Sequence, residues 1–133
     1  MTSPRQPPRI PLAAWSAVVA GPPLAWLLWI SWSEDKASDA AHVAWFATVA
    51  ASWVVAGALA GRRSAHPTIA AVAVVSALVT LFAWWSSQDD SGLFLVGLLF
   101  VTPFLLVMSL PLLWIGHVWS LGVRSRRHQR PGP

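Results

Sequence analysis

Two histidines stand out in this sequence because they lie beside apolar segments, where an imidazole can do chemistry. His117 follows Gly116 near the end of the last apolar block, and His66 lies between the second and third blocks. Imidazole nitrogens ligate haem iron and can bind a quinone head group, so this pair is the candidate cofactor site. Bis-histidine haem needs ligands on facing helices, however, and Pro67 favours a loop at His66. We therefore expect an interfacial histidine at position 117 and no bound cofactor.

A second pair of candidate ligands precedes the second apolar block. Asp39 and His42 are three residues apart, and the loops at this side of the predicted membrane hold the other carboxylates, Glu34, Asp35, Asp89 and Asp90. Carboxylate oxygens suit a divalent cation. A solvated acidic loop explains the same residues more simply, so we expect no metal. The chain has no cysteine, which excludes disulfides, thiolate metal sites, iron–sulfur clusters and cysteine nucleophiles.

The composition shows what must position these residues. The 133-residue chain is 56% hydrophobic and 11% charged, whereas soluble proteins average roughly 25% charged residues. Its apolar residues form four blocks, at about residues 10–32, 43–60, 68–85 and 93–123. A membrane span needs about 17–25 residues, so three blocks fit directly and the fourth must tilt, kink or project. The sequence predicts an all-α membrane protein, an antiparallel four-helix transmembrane bundle over 10–123, between disordered tails at 1–9 and 124–133.

The charges predict the orientation of this bundle. One side of the four-span arrangement holds all five acidic residues and Lys36, and the other holds the remaining eight basic residues, Arg5, Arg9, Arg62, Arg63, Arg124, Arg126, Arg127 and Arg130. The positive-inside rule then places both termini in the cytoplasm. The heavy use of Ala, Trp and Arg points to a high-GC bacterium and hence to its inner membrane. We expect anionic lipids at the basic ends, and no nucleic-acid partner, since no folded basic face is predicted.

The first block contains Gly21-Pro22-Pro23 at its midplane. Pro22 and Pro23 have no backbone N–H groups to donate to the carbonyls of Val18 and Val19. We therefore predict that the first helix is kinked. Unpaired carbonyls are costly in hydrocarbon. We expect hydroxyls at the same depth to point into the bundle, although each can also bond to its own helix: Ser52, Ser76 and Thr102.

Small residues and tryptophans predict how the helices meet. Gly57 and Gly61 form a GxxxG pattern, which lets helices approach closely, and we expect it to act within the chain. Most of the ten tryptophans lie near predicted membrane boundaries, as in an aromatic belt. Trp26 lies deeper and shares a ridge with Trp29. We expect this ridge to contact another membrane polypeptide.

The first three apolar blocks contain no ionisable side chain. Proton-coupled antiport requires a carboxylate within the membrane, and that function is therefore disfavoured. We expect a non-enzymatic protein, an accessory, assembly or stabilising subunit of a larger membrane complex. One alternative is a small pore, holin or facilitative transporter with a hydrated path past Pro22 and Thr102. Another is a haem- or quinone-binding redox component that uses His117.

Overall fold

The structure, a computed structural model, describes residues 9–32 and 37–128. Within these residues the chain forms four α-helices, α1 (Leu12–Trp29), α2 (Asp39–Ala60), α3 (His66–Ser86) and α4 (Phe94–His128), with a 3-10 turn at Arg63–Ala65. All four are long and apolar enough to cross a membrane. The prediction of an all-α chain with four helices that are long and apolar enough to cross a membrane is therefore confirmed for the described residues. Several predicted loop and tail residues lie outside the described ranges: Arg5, Glu34, Asp35, Lys36 and Arg130.

Helix α4 is longer than the apolar block that predicted it. Its 35 residues measure about 52 Å at 1.5 Å per residue, which exceeds the roughly 30 Å thickness of the hydrocarbon core. Arg124 and Arg126 continue the helix instead of opening a disordered tail, because arginine is a good helix former. The disorder predicted from residue 124 is therefore wrong as far as His128, while residues 129–133 lie outside the described chain.

The helices pack as a square in which α1 and α4 occupy opposite corners, each in contact with both α2 and α3. Helices α1 and α2 run antiparallel, since Gly21 packs on Ser52, whereas Trp29, later in α1, donates a hydrogen bond to Thr48, which lies earlier in α2. Helices α3 and α4 also run antiparallel, with Phe82 packed edge-on against Phe94 at 5.5 Å between ring centroids. The other two adjacent pairs, α1 with α3 and α2 with α4, run parallel.

This topology gives the bundle two ends of different character. The acidic end contains the α1–α2 and α3–α4 connections, with Asp39, Asp89 and Asp90. The basic end contains the start of α1, the α2–α3 connection and the end of α4. Its described basic residues are Arg9, Arg62, Arg63, Arg124, Arg126 and Arg127.

Helices α2 and α4 meet backbone to backbone near the basic end. A Cβ atom on Gly57 would overlap the carbonyl of Leu113, and one on Gly116 would overlap the carbonyl of Val54. The structure corrects the role predicted for Gly61, which has nothing within 4 Å of its Cβ position. Gly61 instead ends α2 with a left-handed φ of 69°, a conformation that glycine adopts without steric cost.

Aromatic rings fill the acidic end. Trp45 and Trp84 are buried, with ring centroids 6.3 Å apart, and Phe46 packs edge-on against Trp45 at 4.8 Å. Trp45 and Trp84 are two of the tryptophans near the predicted membrane boundaries, and a lipid-facing belt position is wrong for both, because the rotation of α2 and α3 turns their rings into the bundle. Other tryptophans are exposed, as belt residues are: Trp32, Trp114 and Trp119.

Candidate functional site

The proline pair in α1 is tied to both neighbouring helices. Pro23 has no amide to offer the carbonyl of Val19, and the hydroxyl of Ser76 on α3 donates to that carbonyl at 2.9 Å. On the other side, Trp45 Nε1 on α2 donates to the carbonyl of Pro22. Side chains of α2 and α3 therefore both bond to α1 at the place where the prolines interrupt its backbone hydrogen bonds.

The other two hydroxyls at this depth behave differently. Ser52 and Thr102 donate to carbonyls three and four residues earlier in their own helices, each at 2.7 Å. Ser52 also packs on Gly21, where a Cβ atom would lie 2.8 Å from the Ser52 Cβ. Of the three predicted hydroxyls, Ser76 alone donates to a carbonyl that the prolines free, and Ser52 uses the space that Gly21 leaves.

Trp26 and Trp29 point towards different neighbours, because residues three apart on a helix diverge by about 60°. Trp26 is half-buried and lines a groove between α1 and α3 with Thr80 and Trp84. Trp29 Nε1 donates to the hydroxyl of Thr48 on α2 at 3.0 Å. The Trp26 ring thus has neighbours within the chain, and its position does not require a second polypeptide.

The two predicted metal ligands at the acidic end have other partners. His42 Nδ1 lies 2.9 Å from the carbonyl of Ser38, and this nitrogen carries the proton because a carbonyl only accepts. The His42 ring stacks on Trp84 with centroids 5.0 Å apart. Asp39 is exposed in the first turn of α2, where a carboxylate is favoured by the helix dipole. In the described ranges, no three potential metal-ligating side chains of His, Cys, Asp or Glu type gather at one place.

The two histidines at the basic end come together. His66 is the first residue of α3 rather than a loop residue, since Pro67 suits the first turn of a helix. His117 on α4 faces it, with ring centroids 5.3 Å apart and ring planes at 79°. Each residue is 6% exposed. His66 Nε2 and His117 Nδ1 are buried without a hydrogen-bond partner.

This contact bears on the haem alternative. Two axial imidazoles bind on opposite faces of a porphyrin, which requires a flat slot between them. His66 and His117 instead pack edge to face against each other. The predicted loop position of His66 is wrong, since His66 begins α3. Haem is instead disfavoured by the direct contact between the rings of His66 and His117.

A groove of about 500 Å³ runs between α2 and α4. Ala47 lies on its α2 rim, and every residue that lines it is apolar, namely Val43, Phe46, Ala47, Val49, Ala50, Trp53, Phe104, Leu105, Met108 and Leu112. Helix α4 also buries little of itself in the chain: 11% of its most apolar 18-residue stretch is buried, against 39% for α3. Within a membrane, lipid chains or another helix must fill this groove.

Exposed arginines surround the basic end. Trp119, Ser120 and Arg124 line a shallow groove beside the last turns of α2. A guanidinium with a neighbouring hydroxyl and an indole is an arrangement that suits the phosphate and glycerol region of a lipid.

No protein-family model, curated protein or solved structure matches this chain.

Proposed function

We propose that this protein is a non-enzymatic subunit of a larger membrane complex, and that a transmembrane helix of its partner binds in the α2–α4 groove. The observation that carries this proposal is the groove itself, which is wholly apolar and open along one side of the bundle. The proposed contact surface lies on α2 and α4 and excludes Trp26 and Trp29, because Trp29 donates to Thr48 within the chain and Trp26 lines the groove between α1 and α3.

The α2 rim of the groove suits a helix. Ala47 and Ala51 are both exposed and lie four residues apart, so they form a small-xxx-small pair on the outer surface of α2. Such pairs allow two helix backbones to approach closely, and van der Waals contact then drives association within lipid. On the opposite rim, Phe104 and Met108 provide larger walls between which a partner side chain can insert.

The proposed setting is the inner membrane of a bacterium, with both termini in the cytoplasm. The charge asymmetry between the two ends supports this orientation. Anionic lipid head groups then surround the basic end, where Arg124 and Arg126 extend from α4. A reporter enzyme fused after Pro133 and active only in the periplasm should give no signal. Strong activity would reverse the proposed orientation.

The packing of the interior weighs against a pore through one chain. Trp53 is buried at the centre of the bundle, and Gly57 and Gly116 bring the α2 and α4 backbones into contact. A hydrated path past Pro22 and Thr102 would have to displace these contacts. The contact between His66 and His117 similarly weighs against haem as the basis of a redox function.

Site-specific crosslinking tests the proposal. A photoreactive amino acid at Ala47 should form an adduct with a different polypeptide in intact membranes, whereas one at Ala71, an exposed alanine of α3, should label lipid. Ala47→Trp should release the partner without removing the protein from the membrane, and Ala71→Trp should not. Adducts of equal yield at both positions, or lipid adducts alone at Ala47, would reject the groove as the binding surface.

A further inference from the structure

The histidine pair at the basic end carries a second inference, which does not depend on the proposed function. His66 and His117 come from different helices, are nearly buried, and each present a ring nitrogen with no hydrogen-bond partner. Burial of an unpaired polar atom costs free energy, and buried polar atoms in proteins are nearly always satisfied. The indole nitrogens of Trp26, Trp53 and Trp84 are also buried without a partner, but an indole N–H can only donate, whereas two imidazoles in contact can each offer a lone pair to a shared ligand.

We propose that His66 Nε2 and His117 Nδ1 bind a divalent cation of the zinc class in tetrahedral geometry. A neutral imidazole offers one lone pair, and it is the commonest nitrogen ligand for such ions. A ring centroid lies about 3.2 Å from an ion bound at about 2.0–2.1 Å, so two imidazoles at a tetrahedral angle have centroids about 5.2 Å apart. The observed separation is 5.3 Å.

The same arithmetic distinguishes this site from an axial haem pair. Imidazoles on opposite sides of one metal have centroids about 6.4 Å apart at the same bond length, which exceeds the observed 5.3 Å. The separation of the two centroids therefore matches the value for two imidazoles at a tetrahedral angle and not the value for two axial ligands.

Exogenous ligands would have to fill the remaining coordination positions of the bound ion. A groove of about 420 Å³ begins at His66 and is lined by Leu110, Pro111, Trp114 and Arg63. Water can enter there, and the positive charge of Arg63 favours an anionic ligand, such as chloride or a carboxylate, over a second cation. With ligands on α3 and α4, the ion would fix the first turn of α3 to the last third of α4.

Cobalt binding to the purified full-length protein in detergent tests this site. Co²⁺ occupies tetrahedral zinc sites and absorbs visible light strongly in that geometry. We expect one Co²⁺ per chain, displaced by Zn²⁺. His66→Gln and His117→Gln should each weaken binding by at least about tenfold, the lower range for loss of a group that supports a metal site. The matched controls His42→Gln and His128→Gln should leave the affinity unchanged.

Nitrogen NMR of the unmodified protein gives a second measurement that no folding defect can disturb. Zn²⁺ should shift His66 Nε2 and His117 Nδ1 to the values of metal-bound imidazole and leave His42 unaffected. Absence of these shifts at saturating Zn²⁺, or Co²⁺ binding that survives in both glutamine variants, overturns the proposal. Failure here would leave the crosslinking result at Ala47 untouched, so the two proposals can fail separately.

Discussion

The two ends of the bundle are closed by opposite means. At the acidic end, the rings of Trp45 and Trp84 occupy the space between the helices. At the basic end, the helices touch directly, with the backbone of α4 against Gly57 and that of α2 against Gly116. Packing at the first end depends on the volume of side chains, and at the second on their absence.

The two ends also differ in whether their histidine side chains have hydrogen-bond partners. Large rings at the acidic end cover polar atoms, as Trp84 covers His42 by stacking. At the basic end, the rings of His66 and His117 pack edge to face against each other, and one nitrogen of each ring has no hydrogen-bond partner. The candidate metal site thus lies at the end that is closed by small residues.

The largest expected loss of stability comes from removing a buried aromatic ring at the acidic end. Trp45→Ala removes a fully buried ring and the donor to the Pro22 carbonyl, and truncation of a buried tryptophan costs about 3–5 kcal/mol. The free energy of unfolding in mixed micelles measures this cost. Trp32→Ala, at a position 82% exposed, is the matched control and should change little. Equal stability of the two variants would show that Trp45 is not part of the core.

The next largest loss of stability is expected from adding a methyl group where the backbones of α2 and α4 meet at the basic end. Gly116→Ala places a methyl group in the carbonyl of Val54, and overpacking of this kind costs about 1–3 kcal/mol. Gly122→Ala lies in the same helix with nothing within 4 Å of its Cβ position, and should stabilise the helix by about 0.5–1 kcal/mol. The two alanine variants should therefore change stability in opposite directions, and a gain at both positions would rule out the backbone contact.

The sequence predicted the number of helices and their approximate positions, because long apolar blocks with basic flanks leave few alternatives. It could not predict which face of each helix turns inward. Trp45 and Trp84 lie near predicted boundaries, as belt residues do, and depth alone does not tell a lipid-facing ring from a buried one. These helices are apolar on all sides, so the sequence carries little information about their rotation.

Two predictions at the basic end failed for identifiable reasons: Gly116 was not predicted as a packing residue, and His66 was predicted as a candidate ligand but placed in a loop. Gly116 and Ser120 are four residues apart and form a small-xxx-small pattern, as Gly57 and Gly61 do. His66 was assigned to a loop because the apolar block begins at Thr68, although Pro67 is a typical residue of a first helical turn. The meeting of His66 with His117 depends on the diagonal arrangement of α1 and α4, which no local pattern encodes.

A smaller effect is expected at the junction between the two ends. Ser76→Ala leaves the Val19 carbonyl without its donor, and a hydrogen bond of this kind between membrane helices is worth about 1 kcal/mol. Pro23→Ala restores an amide four residues after Val19. Ser76→Ala should therefore cost less in the Pro23→Ala background than in the wild type. An unchanged cost would mean that the serine does not compensate for the proline.

The smallest effect should appear in the α3–α4 connection at the acidic end. Asp89 accepts hydrogen bonds from the Ser91 hydroxyl, from the Ser91 amide (2.8 Å) and from the Phe94 amide at the start of α4 (2.7 Å). The Ser91 hydroxyl first, and then these amides, hold the pKa of Asp89 below its ordinary value of 3.8. Because the pKa is lower in the folded state, this contribution to stability is complete above the unfolded-state pKa and is lost as the pH falls through the folded-state pKa.

Thermal unfolding of wild type and Asp89→Asn at neutral and acidic pH measures this contribution. The difference between the two proteins should be present at pH 7 and should disappear at a pH below the folded-state pKa, because the protonated carboxyl then resembles the amide. The contribution is small because Asp89 lies in solvent, where water competes for the same bonds. Asp90→Asn removes the neighbouring carboxylate but keeps the hydrogen bonds of Asp89, and as the matched control it should lower the unfolding midpoint at pH 7 less than Asp89→Asn does. If Asp89→Asn lowered the midpoint as much as Trp45→Ala, the loop, and not the aromatic rings, would hold the acidic end closed.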